Sequence, residues 1–304
     1  MTILNKAIAE ELIIYAIDNK KGGTGKTTTS INLGTFLAAA SGKRVLLIDG
    51  DTDRCMTDGL AGGTFDAHAV GKRDILDCIA DPKHGLDGAA IPYDITPYIP
   101  AAKKLCQQFG MPYVSGGSVD IIAGSEDLGE ALQRFASIQQ PQGIGTFSNV
   151  MHWLLRQPAV KARWDRIIID IGTGWDVVTK MLLFAADEAI IPVEPASLSI
   201  EAFKRHNSRI DKGNTERRRA GILGQTIIRG VLISRYNPDS KVHQQFVEGM
   251  RNMLRGGNIP CFVTAIPTSE AILVSMNDHN PAWGQFPDDS GAQAFVRLVK
   301  EMQS

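Results

Sequence analysis

The feature that most constrains this chain is a cluster of glycines placed between an apolar strand and a helix. Residues 12–17 are apolar at nearly every position, and the chain then reads Asp18-Asn19-Lys20-Lys21-Gly22-Gly23-Thr24-Gly25-Lys26-Thr27-Thr28 before a helical stretch. Glycines at 22, 23 and 25 let the backbone curl so that its N–H groups converge on an anion. The positive end of the following helix adds to that field. Lys26 is then placed to reach β- and γ-phosphates, and the Thr27 hydroxyl to ligate Mg²⁺. Gly22, Gly23, Thr24, Gly25, Lys26, Thr27 and Thr28 form the expected nucleotide-binding loop. The alternative is a turn that merely joins strand to helix, but Gly-Lys-Thr-Thr in this context has few other uses.

The rest of the chain repeats the same alternation. Apolar runs rich in Ile and Val recur at 45–48, 119–123, 167–169, 189–193, 230–234 and 262–266. Runs apolar at every position indicate strands buried on both faces, as in parallel sheets. Helical patterns fall between them, at 26–39, 147–155, 175–186, 198–210 and 242–254. The expected fold is therefore α/β: a single-domain, open, mostly parallel sheet flanked by helices, spanning residues 1–304. Residues 57–117, rich in Gly and Pro, interrupt the rhythm and read as an insertion with short helices at 74–79 and 101–109.

Composition excludes several classes. With 43% hydrophobic and 21% charged residues the chain has ample material for a core. Its net charge is −1, so an electrostatic partner must be met by a local patch. Cys55, Cys78, Cys106 and Cys261 make no C-x-x-C pair and are too widely spaced for a zinc knuckle, which points to reduced thiols in the cytoplasm. Lys6, Glu10 and Glu11 stand where a signal peptide would need an apolar core, and no stretch reaches the length of a membrane span.

The loop carries Lys20 where the usual phosphate loop has its first glycine, and a second lysine, Lys21, directly before the glycine pair. This K-G-G-x-G-K-T-T pattern resembles the deviant Walker A loop of the ParA/MinD class (SIMIBI class) of P-loop ATPases. The resemblance implies ATP and Mg²⁺ as ligands, with Lys21 crossing a homodimer interface to the partner's phosphates. Two facing triphosphates repel each other, and a cation lent in trans offsets that repulsion.

Two further strands end in acids. Lys43-Arg44-Val45-Leu46-Leu47-Ile48-Asp49-Gly50-Asp51 places carboxylates at the ligand-binding edge of a parallel sheet. By resemblance, Asp51 orients the attacking water and Asp49 supports the Mg²⁺ region. The family usually continues D-x-D-P-Q, whereas this chain reads Asp51-Thr52-Asp53-Arg54. Asp170 matches the Walker B acid that holds Mg²⁺, followed by Gly172-Thr173-Gly174 in place of the family's D-x-P-P. A strand-terminal Asp can equally cap a helix. The strand before Pro267-Thr268-Ser269 and the segment Ser290-Gly291-Ala292-Gln293-Ala294-Phe295 resemble the family's closing elements. The resemblance assigns base contacts to Arg235, Asn237 and Pro267.

The two branches of this class differ in what they hold. Membrane-binding members end in a basic amphipathic helix, whereas residues 294–304 carry too few cations and read as a helix packed on the sheet. The DNA-binding branch needs a basic surface. Lys204, Arg205, Arg209, Lys212, Arg217, Arg218 and Arg219 outnumber Asp211 and Glu216 in one short stretch, giving a local charge of +5. Such clustering fits phosphate-backbone binding without sequence reading, and a solvated helix face with a charged loop is the plain alternative. The expectation is a partner-stimulated ParA-type partition ATPase, nucleoid-associated when ATP-bound. It would dimerise on ATP, coat DNA non-specifically and respond to a ParB-like centromere-binding protein. The rival within the class positions a protein cargo or secretion machinery. A redox relative of the nitrogenase iron protein would need cysteines after Asp170, and the next is Cys261.

Overall fold

The structure is a computed structural model that describes residues 11–130, 149–195, 200–219 and 221–304, without the side chains of 200–208. Lys6, Glu10 and the expected helix starts at 147 and 198 lie outside the described residues. The first half of the chain forms β1 (Ile13–Ile17), α1 (Lys26–Ser41), β2 (Arg44–Gly50), α2 (Cys55–Ala61), α3 (Ile75–Ala80), β3 (Ile91–Tyr93), α4 (Ile99–Phe109) and β4 (Ser118–Ile122). Then follow α5 (Val150–Leu155), α6 (Pro158–Arg163), β5 (Arg166–Ile171), α7 (Val177–Ala185), β6 (Glu188–Val193) and α8 (Ile200–Arg219). The chain closes with β7 (Ile227–Tyr236), α9 (Lys241–Gly256), β8 (Cys261–Pro267), α10 (Glu270–Asn277), α11 (Ala282–Gln285) and α12 (Ser290–Gln303).

The strands make one sheet in the order β3-β4-β2-β5-β1-β6-β7-β8. Every neighbouring pair is parallel except β3 on β4. Each strand's alternate side chains feed two separate apolar layers. Ile14, Ala16, Leu46, Ile48, Ile167 and Ile169 point to one, and Ile17, Val45, Leu47 and Ile168 to the other. That two-sided burial is why the strands read as unbroken apolar runs.

Helix α1 lies deep in the second layer, with Ile31, Leu33, Phe36 and Ala38 wholly buried. Gly34 lets it approach the sheet, because a Cβ there would sit 2.5 Å from a Leu47 methyl. Two of its buried polar side chains reach α11: Asn32 Oδ1 accepts from Ala282 N (2.7 Å), and Thr35 Oγ1 accepts from Trp283 Nε1 (3.0 Å). The expected C-terminal helix packs as foreseen, with Phe295, Val296, Leu298 and Val299 of α12 buried. Residues 57–117 wrap the β4 edge and feed both layers, Ile75, Cys78 and Ile79 on one side and Ala102, Leu105 and Cys106 on the other.

The exposed edge at β8 is closed by side chains. Glu301 of α12 accepts the Val263 and Thr264 N–H groups (2.6 and 2.9 Å), and Arg251 of α9 donates to the Val263 carbonyl (2.6 Å). Those are the backbone groups that would otherwise pair with another strand.

Candidate active site

The carboxyl ends of β1, β2, β5 and β7 meet around one cavity of about 410 Å³. Gly22, Gly23, Gly25, Lys26, Thr27 and Thr28 form one wall. Gly23 and Gly25 take φ of +74° and +83°, a region open to glycine and strained for most other residues. Gly25 ends the loop as the N-cap of α1, so the helix points its free N–H groups into the cavity. Thr24 is buried, and its carbonyl accepts from Ser234 Oγ at the end of β7 (2.6 Å), which pins the loop to the sheet.

Charge beneath the cavity is unbalanced. Asp49 and Asp170 are register partners on β2 and β5, both buried, with Asp51 beside them and buried Lys26 as the facing cation. Burial, reinforced by the Asp49 charge, pushes Asp170 up to about 7 against the pull of Thr27 and Lys26. Burial likewise raises Asp49 to about 6 despite hydrogen bonds from Thr57 and the Asp51 backbone. Asp170 Oδ2 accepts from Thr27 Oγ1 at 2.6 Å, and its Oδ1 faces Ser30 Oγ at 3.3 Å. A hydroxyl and a carboxylate in a pocket of excess negative charge are a hard-oxygen donor set that fits Mg²⁺.

Asp49 departs from its expected place. Its Oδ2 accepts both the N–H and the Oγ1–H of Thr57 (each 2.7 Å), and its Oδ1 accepts Asp51 N–H (3.2 Å). Thr57 Oγ1 in turn accepts Gly124 N–H (2.9 Å). The carboxylate thus ties β2 to α2 and to the loop after β4; like Asp170 it lies behind the residues that line the cavity, but Asp170 reaches the lining through Thr27 and Asp49 does not. Asp51 does line the cavity. Gly172, in the loop after β5, lies so close that a Cβ there would be 3.2 Å from Asp51 Oδ1. Gly172, which stands where the family has a proline, therefore leaves room for the two acidic loops to lie together.

Lys21 stands on the exposed rim, its Nζ 3.2 Å from Glu194 at the end of β6. Arg235 donates to the Gly23 carbonyl (2.9 Å) and also faces Glu194 (3.9 Å), so one carboxylate gathers both rim cations. Arg235 and Pro267 line the cavity. Asn237 does not join them. It is exposed, its N–H donates to His243 Nδ1 and its Oδ1 accepts Asp239 N–H (each 3.0 Å), which makes it part of the turn leading to α9.

The basic stretch requires a larger correction. The helix expected to end at 210 runs to Arg219, and two of its arginines face inward. Arg217 is 2% exposed and donates to the carbonyls of Ala186 (3.0 Å) and Leu223 (3.1 Å) and to Thr226 Oγ1 (3.3 Å). Arg209 is 6% exposed, stacked 4.4 Å from the Trp175 ring centre and 3.9 Å from the buried Asp18 carboxylate. Neither can reach a polyanion at the surface. Lys212, Arg218 and Arg219 are exposed, and the side chains of Lys204 and Arg205 lie outside the described residues.

The sequence reading missed Glu194, Ser234, Thr57 and Asp18. Glu194 had a usable signal, an acid directly after an apolar run, as at Asp49 and Asp170. Ser234 and Thr57 had none, because their roles depend on segments far away in the chain.

A family model described as an AAA domain matches residues 12–220. The sporulation initiation inhibitor protein Soj of Bacillus subtilis is 28% identical over 290 residues, covering 95% of this chain and 97% of Soj. The chromosome partitioning protein ParA of Caulobacter vibrioides is 25% identical over 296 residues, covering 97% and 96%. The structure of Cyanothece McdA in complex with ATP superposes with a TM-score of 0.69 at 21% identity, covering 97% of each chain. Among the described residues no helix is long and apolar enough to cross a membrane. With its phosphate loop, its strand-ending acids and these matches, the chain belongs to the AAA-domain family, among the ATPases of the ParA type.

Proposed function

We propose that this ATPase is a nucleotide-timed dimerisation switch that holds DNA non-specifically and partitions it with a ParB-like centromere-binding partner. The observation that carries the switch is the position of Lys21. It sits on the rim rather than in the cavity, its ammonium paired among the described residues with the partly exposed Glu194, a carboxylate it can exchange for a facing triphosphate. Gly22, Gly23 and Gly25 would cradle the phosphates, and Lys26 would neutralise charge at the γ end. Thr27 and Asp170 would hold Mg²⁺, which supplies charge neutralisation across the β- and γ-phosphates. Asp51 would orient water for attack, and Asp49 would hold the Asp51 loop in place through Thr57. A γ-phosphate engaged only in the closed dimer gives ATP its leverage over the equilibrium, and hydrolysis removes it. The single ATPase domain over 1–304 would carry the whole cycle in the cytoplasm, on the nucleoid while ATP is bound.

Size-exclusion profiles with ATP, with ADP and with neither test this directly. Lys26→Ala should abolish the ATP-dependent dimer, and Lys21→Ala should weaken pairing without preventing nucleotide binding. Asp51→Ala should pair and yet fail to turn over. A Lys21→Ala protein that pairs and releases like the parent would overturn the reading.

The inward turn of Arg209 and Arg217 favours a second reading, in which the same switch positions a protein cargo. ATP-dependent retention on unrelated DNA, lost at high salt, separates the two. Retention on a protein scaffold alone would select the cargo reading.

A further inference from the structure

Arg209 occupies a junction that nucleotide binding alone does not explain. It projects from α8 to the loop between β5 and α7, where its Nη2 donates to the Gly174 carbonyl and its guanidinium carbon lies 4.4 Å from the centre of the Trp175 ring. On its other side lies Asp18, wholly buried, the first residue after β1 and the start of the segment that becomes the phosphate loop. One side chain therefore touches two of the loops that border the cavity, those after β1 and β5. Thr173, immediately before Gly174, lines that cavity. At Gly174 a Cβ would lie 2.5 Å from Asp176 Oδ2, so the loop has little slack between Thr173 and the start of α7.

Eight residues further along α8, roughly 12 Å at the helical rise, Arg217 anchors the helix to the opposite end of the sheet. Its partners are the carbonyls of Ala186 and Leu223 and the Thr226 hydroxyl. Between the two arginines, Gly213 packs against Phe184 and Leu183 of α7. The helix is thus fixed at its far end and linked at its near end to the two phosphate-side loops.

We propose that Arg209 is a positioning residue that couples nucleotide occupancy of the cavity to the placement of α8, through the Gly174 carbonyl, the Trp175 ring and Asp18. This rests on the nucleotide reading given above. When a phosphate draws Thr173 inward, the Gly174 carbonyl moves with it. A buried guanidinium follows its acceptor rather than surrender it, since water cannot replace the lost bond. The near half of α8 then shifts about the Arg217 anchor. Lys212, exposed on the Arg209 side of that anchor, moves relative to the sheet, while Arg218 and Arg219 stay beside the anchor. Arg209 makes no contact with nucleotide; it transmits the state of the cavity.

The test begins with the unaltered protein. Hydrogen exchange with ATP and Mg²⁺, with ADP, and with neither should show ATP-specific changes in residues 172–176 and in the amides of α8 together. A response in the loop with none in α8 overturns the proposal. Tryptophan emission provides a second measure, because a stacked cation and a shifting loop alter the Trp175 environment. The ATP-specific part of the signal should vanish in Trp175→Phe, which assigns it. Arg209→Met should still bind ATP by calorimetry within threefold of the parent, while the ATP-specific exchange change in the α8 amides falls at least tenfold. Arg209→Lys should recover part of that change, because it keeps the charge near Asp18 but cannot hold the Trp175 contact and the Gly174 bond together. An Arg209→Met protein whose α8 amides respond to ATP as the parent's do overturns the proposal. If the unaltered protein binds no ATP, the nucleotide reading itself falls; if it binds ATP and α8 does not respond, only the coupling does.

Discussion

Replacing Arg217 with Met separates a structural arginine from a DNA-binding one. Met keeps most of the aliphatic stem and removes the guanidinium, which donates to two carbonyls and one hydroxyl at 3.0–3.3 Å. Hydrogen bonds from a charged donor contribute about 1.5–3 kcal/mol each, or roughly 6 kcal/mol for the set. Against this stands the cost of burying the charge. Burial pulls the Arg217 guanidinium down to about 10 from 12.5, with Arg156 adding to the effect. At ~1.36 kcal/mol per unit, that cost is about 3 kcal/mol. The net loss on truncation is then about 3 kcal/mol, which in a 304-residue domain lowers the melting temperature by roughly 5 °C. Arg218 and Arg219, exposed on the same turn, should move it by no more than about 1–2 °C when changed to Met. Thermal melts followed by circular dichroism, without nucleotide, measure all three. If Arg217→Met melts within about 2 °C of the parent, while DNA retention collapses, the inward orientation is wrong.

Other consequences can be checked with ordinary assays. Asp49 and Asp170 hold protons to about 6 and about 7, above the ordinary 3.8, so the nucleotide-free folded chain binds more protons than the unfolded one from about pH 4 upward. Its stability should therefore fall as pH rises from 4 through 7, by up to about 4 kcal/mol for Asp170. Urea titrations at pH 5 and pH 8 should show this, with a flatter profile in Asp170→Asn; a rise instead would reverse the sign of the argument. Mg²⁺ must displace the same protons, so its apparent affinity, read by calorimetry with ATP present, should climb to about pH 7 and then level off. Glu301→Ala frees two backbone N–H groups on β8 and should cost about 2 kcal/mol in chemical denaturation, with new self-association by light scattering. If Lys212, Arg218 and Arg219 of both protomers meet phosphates, the slope of log affinity against log salt should lie near −5 and fall close to zero in the triple alanine variant.

Much of the fold was legible because its causes are local. A strand buried on both faces has to be apolar throughout, so seven runs stood out, from Ile13–Ile17 to Cys261–Pro267. The eighth, Ile91–Tyr93, did not. It has three residues with a proline at its centre, and it exists only by pairing antiparallel with β4 at the sheet edge. The short helices Glu270–Asn277 and Ala282–Gln285 were equally unreadable, since α11 is fixed by Asn32 and Thr35 of α1, more than two hundred residues earlier. In the site, the loop glycines were legible because positive φ admits few other residues. The use Asp49 makes of Thr57 was not, because an acid at a strand end looks the same whether it faces a metal or caps the next helix.

The misread arginines carry a more general argument. Among the described side chains of α8, the inward positions are Arg209, Ile210, Gly213 and Arg217, one helical face on which Ile210 is the single large apolar side chain. Counting charges along the sequence treats each one as solvated, and a helix with this composition then reads as polar all round. It can still bury a face because it crosses the ends of the sheet, where carbonyls have run out of strand partners. Gly174 presents one at the phosphate end, and Ala186 and Leu223 present two at the other. Arginine, with five donors on a long apolar stem, satisfies such carbonyls where a leucine would leave them bare. Gly213 removes the bulk that would hold the helix away from Phe184. The cations left outside on the last turns are Lys212, Arg218 and Arg219, opposed by the exposed Asp211 and by a Glu216 already paired with Lys180 at 3.7 Å. So small a surplus on one protomer cannot hold a polyanion tightly by number alone. Any grip these three cations have must come from where α8 places them, and from a second copy placed beside it.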